Sequence, residues 1–144
     1  MQISGEWYLC DDGMWRPVIR GEVRTDSGFW QPALFLVDTG ADRTVLSAAV
    51  LALLRLQPVM TQERLGGVGG MADAVVVETQ VRFSREEAGK VVFRGQYAAV
   101  TELEALDMSV LGRDITDTFA VIVDRPRDVV CILGQRHYYT IGQS

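Results

Sequence analysis

Two triplets of the form Asp, hydroxyl residue, Gly stand in one stretch, TDSGFWQPALFLVDTGAD: Asp26-Ser27-Gly28 and Asp38-Thr39-Gly40. Two carboxylates held about 3 Å apart cannot both ionise easily, so they share one proton and divide acid and base work on a bound water. That chemistry is hydrolytic and needs neither metal nor cofactor. Competing chemistries have little to build on. His137 is the only histidine, and Cys10 and Cys131 are the only cysteines, which leaves a zinc or histidine-based site without its ligands. No serine stands in a G-x-S-x-G elbow, and Asp38-Thr39-Gly40 lacks the D-x-D-x-T arrangement of an aspartyl-phosphate enzyme.

The elements that must position these carboxylates are short strands. Glu6–Leu9, Val18–Thr25, Ala33–Val37, Ala74–Phe83, Val91–Val100, Ala120–Val123 and Val129–Leu133 are rich in Val, Ile, Phe and Tyr at strand length. Between them DDG, DSG, SREEAGK and DRPRD read as tight connections. Two segments depart from the pattern. Ser47–Leu56 has helical composition behind a Ser N-cap, and Gly112–Phe119 reads as a short helix wedged between strands. The expected class is all-β with one or two short helices.

That framework separates the triplets. Asp38 leaves the apolar strand LFLV and the chain turns at once at Gly40, whereas Asp26 lies between Val23-Arg24-Thr25 and Phe29-Trp30, the setting of a hairpin turn. With Ala33–Val37 extended, the two carboxylates fall at opposite ends of a strand about 15 Å long. They cannot form one dyad within one chain.

The run Leu36-Val37-Asp38-Thr39-Gly40-Ala41-Asp42-Arg43-Thr44-Val45-Leu46 resembles the active-site motif of the retroviral-type aspartic peptidases, the retropepsins. Two further segments match in order. Leu65-Gly66-Gly67-Val68-Gly69-Gly70 resembles the glycine-rich flap of that family, and Val110-Leu111-Gly112-Arg113-Asp114 resembles the start of its C-terminal helix. The resemblance covers roughly residues 16–133. It implies a closed-barrel β fold and a homodimer in which each copy supplies one catalytic Asp, so that Asp38 meets its symmetry mate. It implies further that Thr39 fixes the loop through cross-subunit hydrogen bonds and that Gly40 lets substrate approach. Ala41, Asp42, Arg43, Gly66, Gly67, Val68, Gly69 and Gly70 would border an extended peptide or protein substrate, bound as an added strand. Asp42 and Arg113 would form an ion pair bracing the loop, with Thr44 as a further support; independent surface charge is the plain alternative for the pair. Arg43, at the variable position, suggests a preference for an acidic side chain in the peptide.

Gly67-Val68-Gly69-Gly70-Met71-Ala72 also matches a dinucleotide fingerprint, but that needs a strand before and a helix after. The flanks Thr61-Gln62-Glu63-Arg64 and Ala74-Val75-Val76-Val77 point to a hairpin instead, with an ordinary Gly-rich loop as the bland reading.

Composition bounds the rest. The 144 residues are 48% hydrophobic and 23% charged, enough for one core, and are most simply one domain: residues 1–15 as an N-terminal extension, 16–133 as the core and 134–144 as a tail. A net charge of -5 with scattered Lys and Arg disfavours nucleic acid. Neither a signal peptide nor a membrane span is visible, and two cysteines, one surface and one core, suit a reduced compartment unless they form a single bridge. The expectation is a soluble cytoplasmic protein. The extensions could build the dimer interface, through Tyr138, Tyr139 and Ile141, or cover the monomer's own barrel; the N-terminal segment could instead occupy the cleft or be removed. An aspartic endopeptidase is the leading reading. The alternatives are a catalytically silent module of the same fold, for dimerisation or peptide binding, and an unrelated monomeric β-barrel.

Overall fold

A computed structural model of the chain describes residues 1–67, 70–134 and 142. Its strands are, in chain order, β1 Gln2–Ser4, β2 Glu6–Leu9, β3 Trp15–Arg24, β4 Trp30–Val37, β5 Val45–Leu46, β6 Met60–Gly67, β7 Gly70–Ser84, β8 Lys90–Val100, β9 Ser109–Leu111, β10 Ala120–Asp124 and β11 Val129–Leu133. Helix α1 spans Ala48–Leu54, helix α2 spans Arg113–Thr116, and a 3-10 turn covers Leu103–Ala105. The mostly β class with short helices agrees with the sequence expectation.

The main sheet runs β2-β3-β4-β9-β5-β8-β7-β6, and β3 pairs again with β7 at Glu22 opposite Arg82 and Val23 opposite Val81. The strands from β3 round to β7 therefore close on themselves, leaving β2 and β6 outside the ring. A smaller antiparallel sheet, β1-β11-β10, packs beside it. Side chains alternate as the pleat requires: Ala33, Phe35 and Val37 of β4 point inward while Leu34 and Leu36 are half-exposed. Inside the ring Phe35 meets Phe83 edge-on at 5.4 Å, and Phe83 meets Phe93 at 6.2 Å. Each buried ring contributes roughly 1.5–3 kcal/mol. At Gly21 a Cβ would lie 2.5 Å from the Phe83 ring, so the smallest residue is needed where β3 crosses it.

Four strands, β1, β5, β6 and β9, were not expected from composition. β5 and β9 are two and three residues long, too short to show a period, and β6 (MTQERLGG) is polar because it is an exposed arm. The first 15 residues contribute β1 and β2 to the sheets, and none of them borders the cavity beside Asp38. Ile3 is fully buried, β1 pairs with β11, and β2 pairs with β3. Tyr138, Tyr139, Ile141 and His137 lie outside the described residues. Cys10 and Cys131 are both free, and burial pushes the Cys131 thiol up. Among the described residues no helix is long and apolar enough to cross a membrane.

The ring closure at β3–β7 carries an ion pair, Arg82 Nε to Glu22 Oε1 at 2.9 Å, with Lys90 Nζ at 3.6 Å. Hydrogen bonding from Arg82 lowers the Glu22 pKa below its ordinary 4.5. A carboxyl whose folded pKa is depressed adds stability above the unfolded value, and that share is lost as pH falls through the folded value. Wild type should therefore exceed Glu22→Gln in urea stability at about pH 6, and the gap should close towards about pH 3. A gap independent of pH would show that the pair does not stabilise the closure.

Candidate active site

Asp26 sits where turn chemistry put it. Thr25 N–H donates to the Phe29 carbonyl at 2.8 Å, Gly28 N–H donates back to Thr25 at 3.0 Å, and Gly28 adopts φ +88°, which favours glycine. The Asp26 N–H is tied to the Leu54 carbonyl at the end of α1. Strand β4, eight residues long, separates this hairpin from Asp38 by about 25 Å. The two triplets are not brought together.

Asp38 lies at the C-terminal end of β4, and its surroundings are set by an unusual strand order. β9 inserts between β4 and β5: Phe35, Leu36 and Val37 run parallel to Ser109, Val110 and Leu111, while Val45 faces Val110 antiparallel. The loop 38–44 must therefore arch over the end of β9 to reach β5. Its backbone is anchored at several points. Asp38 N–H donates to the Leu111 carbonyl at 3.2 Å, Ala41 N–H to the Asp38 carbonyl at 3.2 Å, and Arg113 N–H to the Ala41 carbonyl at 2.9 Å.

Below the arch the chain passes so close that Gly112 is required. A Cβ there would fall 2.3 Å from the Arg43 carbonyl carbon and 2.4 Å from its oxygen. Thr44, fully buried, fastens the crossing: its Oγ1 donates to Asp114 Oδ1 at 2.7 Å and accepts from Gly112 N–H at 3.1 Å, while its N–H donates to the same carboxylate at 2.9 Å. Asp114 was not among the residues expected at the site. The signal was present, as the acidic residue ending Val110-Leu111-Gly112-Arg113-Asp114, but only the fold shows that it accepts twice from Thr44. Thr44→Val keeps the shape and strands Gly112 N–H, so a loss of about 1–3 kcal/mol is expected in chemical denaturation. A loss below about 0.5 kcal/mol would mean that the hydroxyl is dispensable.

Asp42 and Arg113 form an ion pair across the same crossing, Arg113 Nη2 donating to Asp42 Oδ1. Both are exposed. Arg43 is engaged within its own chain: its Nη2 lies 3.0 Å from Glu63 Oε1 of β6. Within the chain, Glu63 therefore supplies Arg43 with an acidic partner.

Of the Asp38 carboxylate, Oδ1 accepts from Gly40 N–H at 2.9 Å, and Oδ2 makes no hydrogen bond among the described residues. The group is half-buried and borders a cleft of about 700 Å3. The opposite wall is the hairpin of β6 and β7, in which Arg64 faces Asp73, Leu65 faces Ala72, Gly66 faces Met71 and Gly67 faces Gly70. Gly66 and Gly70 border the cleft. Val68 and Gly69 lie outside the described residues. Strands on both sides of the glycines, with no helix following, rule out the dinucleotide fingerprint. Thr39 and Gly40 are exposed, and Thr39 has no side-chain hydrogen bond among the described residues. No group of three or more His, Cys, Asp or Glu side chains among them is arranged to hold a metal.

The model of a family described as Aspartyl protease matches residues 21–115, which include the arch, the hairpin and the crossing. Among solved structures, the EIAV protease complexed with the inhibitor HBY-793 is similar with a TM-score of 0.52 and 25% identity, over 71% of this chain and 86% of that one. A retropepsin-like aspartic protease from Rickettsia conorii is similar with a TM-score of 0.57 and 18% identity, over 92% of this chain and 88% of that one. No curated protein sequence matches the chain.

Proposed function

The chain belongs to the aspartyl protease family and has a retropepsin-like fold, and on that premise we propose that it is an endopeptidase whose catalytic pair is Asp38 and Asp38 of a second, identical copy. The observation that carries this reading is the Asp38 carboxylate itself. One oxygen is held by Gly40 N–H, the other is unengaged among the described residues, and the group stands beside a cleft at the C-terminal end of β4. A single such carboxylate lacks the proton-sharing partner the chemistry requires. The Asp26 triplet cannot supply one from the far end of β4, so a two-fold dimer is the arrangement that completes the site.

In that dimer one carboxyl is protonated and its mate is ionised. The ionised group takes a proton from a water as the water oxygen attacks the scissile carbonyl carbon, and the protonated group gives its proton to the carbonyl oxygen. The gem-diol then returns a proton to a carboxylate while the amide nitrogen receives one, and the carbon–nitrogen bond breaks. Thr39, exposed and without a side-chain partner among the described residues, is available to bond across the two-fold axis. The β6–β7 hairpin acts as a flap. Its edge backbone pairs with an extended peptide, and glycines near its tip keep side chains out of the way. One domain, no metal and no cofactor are sufficient, and the protein works in the cytoplasm.

The test is incubation of wild type and Asp38→Asn with a diverse peptide library at several pH values between about pH 4 and pH 7, with sedimentation alongside. A dimer whose cleavage disappears in the variant supports the proposal. A dimer that cleaves nothing points to a peptide-binding or dimerisation module, and an inactive monomer counts against both.

A further inference from the structure

The cleft beside Asp38 is unevenly charged. Among the described residues its lining carries Asp38, Asp73, Glu102 and Glu104 but one cation, Arg64, whose Nε is 3.7 Å from Asp73. Arg43 adds no free positive charge, because Glu63 holds it. Glu102 and Glu104 flank the start of the 3-10 turn that follows β8, and both are exposed. Neither has an ion-pair partner among the described residues. The cleft also presents an apolar wall, formed by Val45, Val100, Leu106 and Val110.

An apolar wall rimmed by two carboxylates that have no ion-pair partner among the described residues suits a side chain with an aliphatic stem and a cationic head. Lys and Arg have that form: the stem lies along the hydrocarbon while the head stays at the wet, charged edge. We propose that Glu102 and Glu104 select a Lys or Arg side chain in the bound peptide, an inference that rests on the peptidase reading of this cleft. Two-fold symmetry doubles the feature. Each copy brings its own pair of glutamates, so the preference falls on both sides of the scissile bond. The sign is opposite to the one suggested by Arg43 in the sequence.

Binding can be measured apart from cleavage. Asp38→Asn protein is titrated calorimetrically with matched, end-capped peptides of Ala and Val that carry Lys, Ala or Glu at each position in turn. At the responsive positions the Lys peptide should bind about fivefold more tightly than the Glu peptide, the size that two partly exposed charge pairs support. The ratio should shrink as salt is raised. Adding Glu102→Gln and Glu104→Gln should bring it close to one. Glu78→Gln, an exposed charge of β7 that does not border the cleft, should leave it unchanged, which separates a local effect from the attraction of an acidic protein for any cation. Equal binding of Lys and Glu peptides, a ratio that survives the double substitution, or no binding of any peptide would each overturn the inference. Wild-type cleavage of the same peptides tests the other reading separately. Charge preference without cleavage removes the peptidase and keeps the selective cleft, and cleavage without charge preference does the reverse.

Discussion

Asp38→Asn should reduce peptide turnover by about a thousandfold or more, the scale of losing proton transfer at the reacting centre. The fold should survive. Asn has the shape of Asp, its carbonyl oxygen can still accept from Gly40 N–H, and the half-buried site tolerates loss of the charge within about 1 kcal/mol. What the amide cannot do is hold the shared proton or take one from water. Mixing sharpens the test. At fixed total protein, an equal mixture of wild-type and Asp38→Asn chains that exchange freely should retain about a quarter of the activity, because only dimers with two carboxylates work. Retention of half would mean that each chain acts alone and would remove the shared dyad from the mechanism. The measurement is initial rate against mixing ratio after the mixture has equilibrated.

Gly112→Ala should be among the most damaging conservative substitutions in the fold. The added methyl would meet the Arg43 backbone at 2.3 and 2.4 Å, and the neighbour is main chain rather than the end of a flexible side chain. Relief requires lifting the arch 38–44 or displacing the start of α2. Either movement breaks the bonds among Thr44, Gly112 and Asp114. A cost of about 3 kcal/mol or more is expected, at the upper end of overpacking. For a chain of this size that corresponds to a fall in Tm of about 10 °C. Gly13→Ala is a useful contrast: nothing lies within 4 Å of its added carbon, and only its φ of +83° opposes the change. A Gly112→Ala protein as stable as Gly13→Ala would show that the crossing can relax, and the loop would then not be held as rigidly as the site requires.

Much of this was legible along the chain because the signals are local. The helix at α1 follows from Ser47, whose Oγ accepts from Val50 N–H, and the Asp26 turn follows from Gly28, which alone in its triplet suits a positive φ. The strands with a clear alternation, such as β4, carry their burial pattern in their composition. β9 does not, since three buried residues, Ser109, Val110 and Leu111, have no period to display. β6 shows no apolar alternation of its own, and only its place in the glycine hairpin beside β7 marks it as a strand.

The candidate site divides in the same way. Residue types and spacing, by themselves, singled out Asp38 over Asp26, because a strand between them keeps two carboxylates apart whatever the rest of the fold does. The link between Asp42 and Arg113 came from the family resemblance rather than from spacing, and the fold brings the two side chains together. Tertiary structure decided which charges meet. It placed Glu63 on Arg43, put Asp114 under Thr44, and left Glu102 and Glu104 at the rim of the cleft with no ion-pair partner among the described residues. The physical reason is range: turn, cap and strand preferences act over a few neighbouring residues, whereas a charge is neutralised by whatever the folded chain brings within about 4 Å of it.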